Sequence, residues 1–295
     1  AYVQGRTAGV ISSLSSVAVI LNQPLLDYQD QQELPAGLFK FNPGVKGKAI
    51  LVNGTQIEFY PDEALENGKS YSVDFNLGML LSLPKELRVF SFDFEVLPLD
   101  FTVREGRLKV ADQHDDLMEY TGKIVLSDPI KMDQIQSVLE LEGANPEAKL
   151  ILEDGGQQQF NYRIQGITKK KEAWSFKMSW NGRSIDVDKK GEIIIDIPGL
   201  DDFSLLDVHV VQGEDQHIQL IFSDALDTQQ NLDGLIHLKA SNQFRLQRSG
   251  HEVFLYPLVR LEGEWDLVIE KELRSKKGKS LQERETYQLA LAPLP

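Results

Sequence analysis

The 295-residue chain contains no cysteine, and this absence removes several kinds of chemistry. A chain without thiols has no disulfide, no thiolate-held metal, no cysteine nucleophile and no internal thioester. The compartment stays open, because exported proteins also fold without disulfides. Any core that these residues build must therefore be held by apolar burial and hydrogen bonds alone.

Long hydrophobic runs are also missing. The apolar stretch at 17–21 is ended by Asn22-Gln23-Pro24, which makes it too short for a signal-peptide core. No run approaches the roughly 18 apolar residues of a membrane-spanning helix. Since the sequence starts at Ala1 rather than Met, we expect that any export signal was removed or never belonged to this chain.

Basic patches are scarce as well. The net charge is -14, and each third of the chain has more acidic than basic side chains. A protein that binds phosphate backbones or anionic lipid needs a basic face. We therefore expect no nucleic-acid partner and no membrane contact by this segment.

What the sequence does contain is a series of short proline-containing motifs at intervals of about a hundred residues. Leu97-Pro98-Leu99-Asp100-Phe101 is echoed by Ile197-Pro198-Gly199-Leu200-Asp201-Asp202-Phe203, and the chain ends at Ala292-Pro293-Leu294-Pro295. Proline cannot continue a central strand, so these sites are typical of junctions. The spacing predicts three tandem modules, at 1–98, 99–198 and 199–295.

A hairpin pattern recurs at the same place in each third. Alternating apolar residues flank a turn dipeptide that tolerates positive φ, which is the strongest short-range hairpin signal. The turns are Asn53-Gly54, Asp154-Gly155-Gly156 and Ser249-Gly250.

Short, turn-punctuated strands predict an all-β fold. We expect three tandem immunoglobulin-like β-sandwich modules. We further expect the aromatic residue Trp265, which opens a strand, to lie in the core of the last module, and the run Lys169-Lys170-Lys171 to guard a hairpin tip or sheet edge. The predicted strands lie at 89–96, 119–126, 173–180, 191–197 and 217–222, with short helical turns at 62–66 and 131–139 and a further hairpin at Asn181-Gly182.

No group of residues stands out as catalytic, cofactor-binding or metal-binding, so we predict no enzyme, no cofactor and no site of any of these types. The densest acidic cluster lacks the spacing of a calcium loop, and a solvated loop is the favoured interpretation. Carboxylates at the predicted junctions could hold a cation, but short polar side chains also cap and turn a chain there. The cluster is Asp112, His114, Asp115 and Asp116, and the junction carboxylates are Asp100, Asp201 and Asp202.

A series of short motifs in the first hundred residues carries a resemblance to a known family. These motifs are Phe41-Asn42-Pro43-Gly44-Val45-Lys46-Gly47, Gln56-Ile57-Glu58-Phe59-Tyr60-Pro61, Gly68-Lys69-Ser70-Tyr71, Leu83-Pro84-Lys85-Glu86-Leu87 and Phe92-Asp93-Phe94. The series resembles the N-terminal immunoglobulin-like region of bacterial alpha-2-macroglobulins. The last third resembles the same module more loosely, and the middle third resembles a diverged macroglobulin-type domain.

The resemblance implies a large envelope protein that traps proteases. In that family a protease cuts a bait segment, and the protein then changes shape and entangles the attacker, often through a thioester. Without cysteine the thioester cannot lie in this chain, and none of the family's chemical motifs has a match here.

We therefore expect a non-catalytic arm, in the periplasm or at the cell surface, that acts as a scaffold or docking segment. Its partners would be other domains of the same larger protein, and proteases would be targets of the intact protein. The intact protein could also carry a lipid anchor. The alternatives are a tandem immunoglobulin-like surface adhesin or glycan-binding array, and an accessory β-domain set of an envelope enzyme.

Overall fold

Strands account for 52% of the chain and helices for 5% in the computed structural model, so the prediction of a nearly all-β protein is confirmed. The structure describes residues 2–111, 114–156, 158–239 and 243–293. Within these ranges, no helix is long and apolar enough to cross a membrane.

The first third of the chain builds two sheets with the strand orders β1-β3-β7-β6-β4 and β2-β9-β8-β5. Pairing is antiparallel except between β2 and β9. Buried side chains of both sheets belong to one hydrophobic cluster, in which the rings of Phe41 and Phe59 lie 4.6 Å apart and those of Phe39 and Phe75 4.9 Å apart. The strands are β1 (Val3–Arg6), β2 (Val10–Ile11), β3 (Val17–Leu21), β4 (Gln32–Glu33), β5 (Phe39–Asn42), β6 (Gly47–Asn53), β7 (Gln56–Pro61), β8 (Ser70–Phe75) and β9 (Phe90–Val96), with 3-10 turns at Leu77–Met79 and Lys85–Leu87.

The middle third builds sheets with the orders β10-β11-β14-β13 and β12-β15-β16, all antiparallel. Ile124 and Ile164 from one sheet and Met178 from the other are fully buried in a second hydrophobic cluster. The elements are β10 (Phe101–Ala111), β11 (His114–Leu126), α1 (Met132–Ile135), β12 (Leu139–Glu142), β13 (Lys149–Asp154), β14 (Gln159–Thr168), β15 (Trp174–Asn181), a 3-10 turn at Gly182–Ile185 and β16 (Lys190–Ile197).

The last third builds sheets with the orders β17-β18-β21-β20 and β19-β22-β23 around a third cluster. Leu220 and Leu255 of one sheet and Leu267 of the other have no exposed surface. The strands are β17 (Leu205–Val211), β18 (His217–Phe222), β19 (Ile236–Leu238), β20 (Phe244–Ser249), β21 (Glu252–Pro257), β22 (Gly263–Ile269) and β23 (Glu285–Leu291).

The hairpin that recurs in each third of the sequence is confirmed, as the antiparallel pairs β6–β7, β13–β14 and β20–β21. Gly156 and Gly250 have φ of 121° and 59°, as such turns require. Gly54 does not have a positive φ. Instead, Asn53 Oδ1 closes that turn by accepting from the backbone amides of Thr55 and Gln56 at 3.2 and 3.1 Å.

Three local expectations need correction. The residues at 62–66 form no helix, and the helical prediction at 131–139 shortens to the single turn α1. Trp265 is only partly buried, because it packs at the margin of the third cluster and donates through Nε1 to the carbonyl of Glu262 at 3.0 Å. Trp265 therefore contributes less to the core than the sequence suggested.

Candidate functional site

Two junctions connect the three clusters, and at each a serine side chain makes the same pair of hydrogen bonds to the junction backbone. At the first junction, residues 97–100, Ser127 Oγ donates to the carbonyl of Pro98 at 2.9 Å and accepts from the amide of Asp100 at 2.8 Å. The Ser127 amide also donates to the carbonyl of Asp100. One hydroxyl thus satisfies a donor and an acceptor in a segment where strand pairing has stopped.

Ser223 repeats this arrangement at the second junction, residues 198–204. Its Oγ donates to the carbonyl of Asp202 at 3.1 Å and accepts from the amide of Ser204 at 3.0 Å. Its own amide donates to the carbonyl of Ser204. Each serine follows a strand that returns to its junction, since Leu126 pairs with Phe101 and Phe222 pairs with Leu205, so each serine ties the returning strand to the entry of the cluster that follows.

The residue after each serine is a buried aspartate. Asp128 has no exposed surface, and its Oδ2 accepts from the Ser13 amide at 2.8 Å and from Asn67 Nδ2 at 2.7 Å. Asn67 also donates to the carbonyl of Leu97, in the junction itself, at 2.9 Å. A side chain of the second cluster is therefore bonded to two loops of the first.

Hydrogen bonding sets the ionisation of Asp128. Burial by itself raises the pKa of this carboxyl, but hydrogen bonds from Ser12, Ser13 and Asn67 favour the carboxylate and bring the pKa below its usual value. Asp128 is therefore a charged acceptor at neutral pH.

At the second junction a buried donor is a lysine, whereas at the first junction the donors to Asp128 are the neutral Ser13 amide and Asn67 side chain. Lys169, at the end of β14, is 3% exposed, and its Nζ donates to the carbonyl of Ser223. Burial lowers the pKa of Lys169, and the nearby Asp224 carboxylate opposes this shift. Asp224 is 2% exposed and pairs with Lys277 at 2.6 Å. The expectation that Lys169 guards an edge is wrong, whereas Lys170 and Lys171 are exposed.

Charged groups flank this junction on two further sides. Arg107 of β10 donates to His209 Nδ1 at 2.6 Å and lies 3.4 Å from Asp207 Oδ2. Burial, followed by the Arg107 charge, lowers the pKa of His209. His251 contacts Asp115 at 3.2 Å. The second and third clusters are thus bridged by polar contacts at several points.

A groove of about 720 Å³ lies beside the second junction, between β16 and β17. Trp174 and Ile194 form its apolar wall, and Arg107 is a basic residue on its rim. Its acidic lining residues are Asp196, Asp202, Asp207, Glu283 and Glu285. Among the described residues, no group of three or more His, Asp or Glu is arranged to hold a metal ion.

The acidic candidates from the sequence fall into separate local contacts. Asp112 lies outside the described residues. His114, Asp115 and Asp116 are exposed, and the carbonyl of Asp116 accepts from the Lys169 amide.

The junction carboxylates act on the local backbone and on lysines. Asp100 pairs with Lys189 at 3.0 Å, and this contact lowers the pKa of Asp100. Asp202 Oδ2 accepts from the Gly199 amide at 2.9 Å, and Asp201 lies 3.4 Å from Lys279. This is the capping and turning geometry expected of short polar side chains.

The dipeptides Ser127-Asp128 and Ser223-Asp224 each end an apolar strand in the sequence, and none of the sequence predictions gives them a role. Their signal was available in the repetition itself, because the same dipeptide ends an apolar strand in two of the three thirds. What the dipeptide cannot reveal is burial, which depends on loops more than 50 residues away.

Replacing Lys169 with alanine is expected to loosen the second junction by about 1–3 kcal/mol, because the buried carbonyl of Ser223 loses its donor. Hydrogen–deuterium exchange should then speed up at 199–204 and 223–226. The matched control is Lys171→Ala, which removes an exposed lysine two residues away and should leave exchange unchanged. Equal exchange in both variants would contradict the role given to Lys169.

Comparison with known proteins gives only distant likenesses. No protein-family model matches the chain, and no curated protein matches it. Domains 4–9 of the surface layer protein SbsC are 13% identical over 99% of this chain and 48% of that chain, with a TM-score of 0.33. The full ectodomain (Ig1–Ig3) of mouse nectin-like molecule 4 is 12% identical over 97% of this chain and 96% of that chain, with a TM-score of 0.26. An L,D-transpeptidase from Mycobacterium tuberculosis H37Rv is 14% identical over 56% of this chain and 76% of that chain, with a TM-score of 0.24. Likeness at this level assigns no function.

Proposed function

We propose that the chain is a non-catalytic arm of three tandem immunoglobulin-like β-sandwich modules, at 1–98, 99–198 and 199–295. The observation that carries the proposal is the repeated serine–aspartate device at the two junctions. Each hydrophobic cluster takes residues from two sheets, as a β-sandwich does. Each junction then adds buried polar contacts between consecutive clusters.

The mechanism of such an arm is geometric. Interfaces between domains of one chain ordinarily permit relative motion unless they are extensive and apolar. Here the buried Asp128 and Lys169 add directional hydrogen bonds at the two junctions, and such bonds favour one orientation. An arm of this kind holds what is attached to it at a fixed distance and angle.

The larger protein that we propose is an alpha-2-macroglobulin-like protease trap of the bacterial envelope. Support comes from the motif series in the first third, which includes the β7 hairpin strand Gln56–Pro61. In this proposal the arm is a scaffold or docking segment for other domains of the same protein, and proteases are targets of the whole.

Double electron–electron resonance tests the fixed orientation directly, and the absence of native cysteine makes labelling clean. The first pair of spin labels, at Lys85→Cys and Glu140→Cys, spans the first junction. The second pair, at Glu140→Cys and Lys271→Cys, spans the second junction. All three positions are exposed. Each pair should give one narrow distance peak. Broad distributions for both pairs would overturn the rigid-arm proposal.

The coding sequence on either side of the chain tests the protease-trap assignment separately. Further macroglobulin-type repeats with a bait segment would support it. Surface-anchor repeats or a catalytic domain would overturn it, while leaving the geometry of the arm intact.

A further inference from the structure

An aromatic cluster lies on the outward face of the sheet β17-β18-β21-β20. In β21, Val253 and Leu255 are fully buried, so Phe254 and Tyr256 between and after them point away from the core. Their rings are stacked, with centroids 6.2 Å apart and an interplanar angle of 20°. The ring of His217, on β18, lies 5.2 Å from that of Tyr256 and 5.9 Å from that of Phe254. We call these three residues the aromatic platform.

Planar polar side chains stand on both sides of the platform. Tyr256 pairs across the strands with Arg245 of β20, whose guanidinium carbon lies 5.2 Å from the tyrosine ring centroid. Phe254 pairs with Gln219 of β18 on one side and Gln247 of β20 on the other. Phe254 is thus flanked by two amides that can donate and accept, and Tyr256 by a guanidinium that can only donate.

A depression of about 600 Å³ opens at the Tyr256 end of the platform. Glu214 and Asp215 are exposed on one part of its rim, and Arg245 and Arg260 line another part. Arg260 is anchored, because its guanidinium donates to the carbonyls of Gln212 and Gly213 at 2.8 and 3.0 Å. The depression is therefore lined by the rings of Tyr256 and His217 and by charged side chains of both signs.

The fold itself does not require this platform, as the matching strand in the first cluster shows. Strand β7 carries the same Tyr-Pro pair at Tyr60-Pro61, and Tyr60 is 43% exposed. Two positions before Tyr60, where β21 has Phe254, β7 has Glu58, which accepts from Ser16 Oγ at 2.7 Å. A partly buried carboxylate thus occupies the matching position in that sheet, so the fold does not require an aromatic ring there.

We propose that the aromatic platform is a carbohydrate-binding site that takes a neutral pyranose unit of a glycan. One face of a pyranose presents C–H groups with partial positive charge, which match the negative face of an aromatic ring. The sugar hydroxyls radiate from the ring edge, where Arg245, Gln219 and Gln247 offer donors and acceptors. A binding site of this type combines an apolar floor with a few polar groups that fix orientation.

The charges around the depression favour a neutral sugar over an ionic ligand. A phosphate or sulfate would face Glu214 and Asp215, and a cation would face Arg245 and Arg260. A proline-rich peptide is the other ligand that aromatic grooves take. Gln219 on one side of the rings, and Arg245 and Gln247 on the other, favour a ligand that carries hydroxyl groups around its ring. A proline ring carries none. The site does not depend on the proposed arm function, since an adhesive module and a scaffold can share one chain.

The experiment uses the full chain on an array of neutral oligosaccharides, followed by calorimetry with the hexasaccharides of glucose, mannose and N-acetylglucosamine and with a proline-rich decapeptide. We expect at least one neutral oligosaccharide to bind. Tyr256→Ala and Phe254→Ala should each weaken that binding about tenfold, while Tyr256→Phe keeps most of it because the ring stays.

The matched control is Tyr60→Ala, which removes a Tyr from the same Tyr-Pro context without touching the platform and should bind as the parent chain does. Thermal melts of each variant report whether its fold is retained, and Tyr256→Phe supplies a folded variant if an alanine variant unfolds. The proposal is overturned if no neutral glycan binds, if only the peptide binds, or if both alanine variants, once shown to be folded, bind as the parent does.

Discussion

Replacing Phe222 with alanine is expected to lower the free energy of unfolding of the third cluster by about 3–5 kcal/mol. Phe222 has no exposed surface, and its ring stacks on Phe203 with centroids 5.5 Å apart. Truncation removes the buried ring and leaves a cavity beside Phe203, which sits at the end of the second junction. The loss should be confined to the third cluster, because every buried residue of that cluster lies in the last third of the chain.

Urea denaturation followed by region-resolved hydrogen exchange measures this effect. Protection of β18 and β21 should fall, while protection of β8 in the first cluster should stay at the parent level. The control is Leu258→Ala in the same third, since Leu258 is 70% exposed and its loss should cost under about 0.5 kcal/mol. An equal loss of protection in β8 would show that the chain unfolds as one body and would contradict the three-module proposal.

The hairpins and most strands could be predicted because their determinants are local. Alternation of apolar residues fixes which face of a strand is buried, and turn dipeptides such as Ser249-Gly250 fix where it reverses. The strand at His217–Phe222 was placed without error for this reason. Trp265 shows the limit of the same reasoning, since residue size alone does not reveal whether a side chain lies inside a core or at its margin.

The positions of the junctions could be predicted, but their contacts could not, because these contacts join residues that are distant in sequence. Asp128 and Ser13 are 115 residues apart, and Lys169 and Ser223 are 54 apart. Lys169 also belongs to a run of three lysines, and a charged run is usually a solvated surface. The first lysine is buried because the β14 end that carries it lies against the strand exit at Ser223. The platform escaped notice for a similar reason, since cross-strand pairing brings His217 to Tyr256.

Replacing Asp128 with alanine is expected to destabilise the first junction by about 3 kcal/mol at neutral pH. The substitution removes two hydrogen bonds to a charged acceptor, and it leaves the amide of Ser13, which is 2% exposed, without a partner. Hydrogen–deuterium exchange should accelerate at 12–14, 65–68 and 97–100. The distance distribution of a spin-label pair across the first junction should become broader. Asp133→Ala is the control, because Asp133 is an exposed carboxylate of α1 in the same third of the chain.

The effect of Asp128 should depend on pH with a definite sign. The pKa of its carboxyl is lowered in the folded chain from 3.8, because hydrogen bonds from Ser12, Ser13 and Asn67 outweigh the opposing effect of burial. A carboxyl whose pKa is depressed on folding stabilises the folded state above its unfolded pKa, and this contribution is lost as the pH falls through the folded value. The stability gap between the parent chain and Asp128→Ala should therefore be full at pH 7 and shrink below about pH 4. Urea titrations at pH 7, 5 and 3 measure the gap. A gap of the same size at pH 3, or none at pH 7, would show that a charged Asp128 does not hold the first two clusters together.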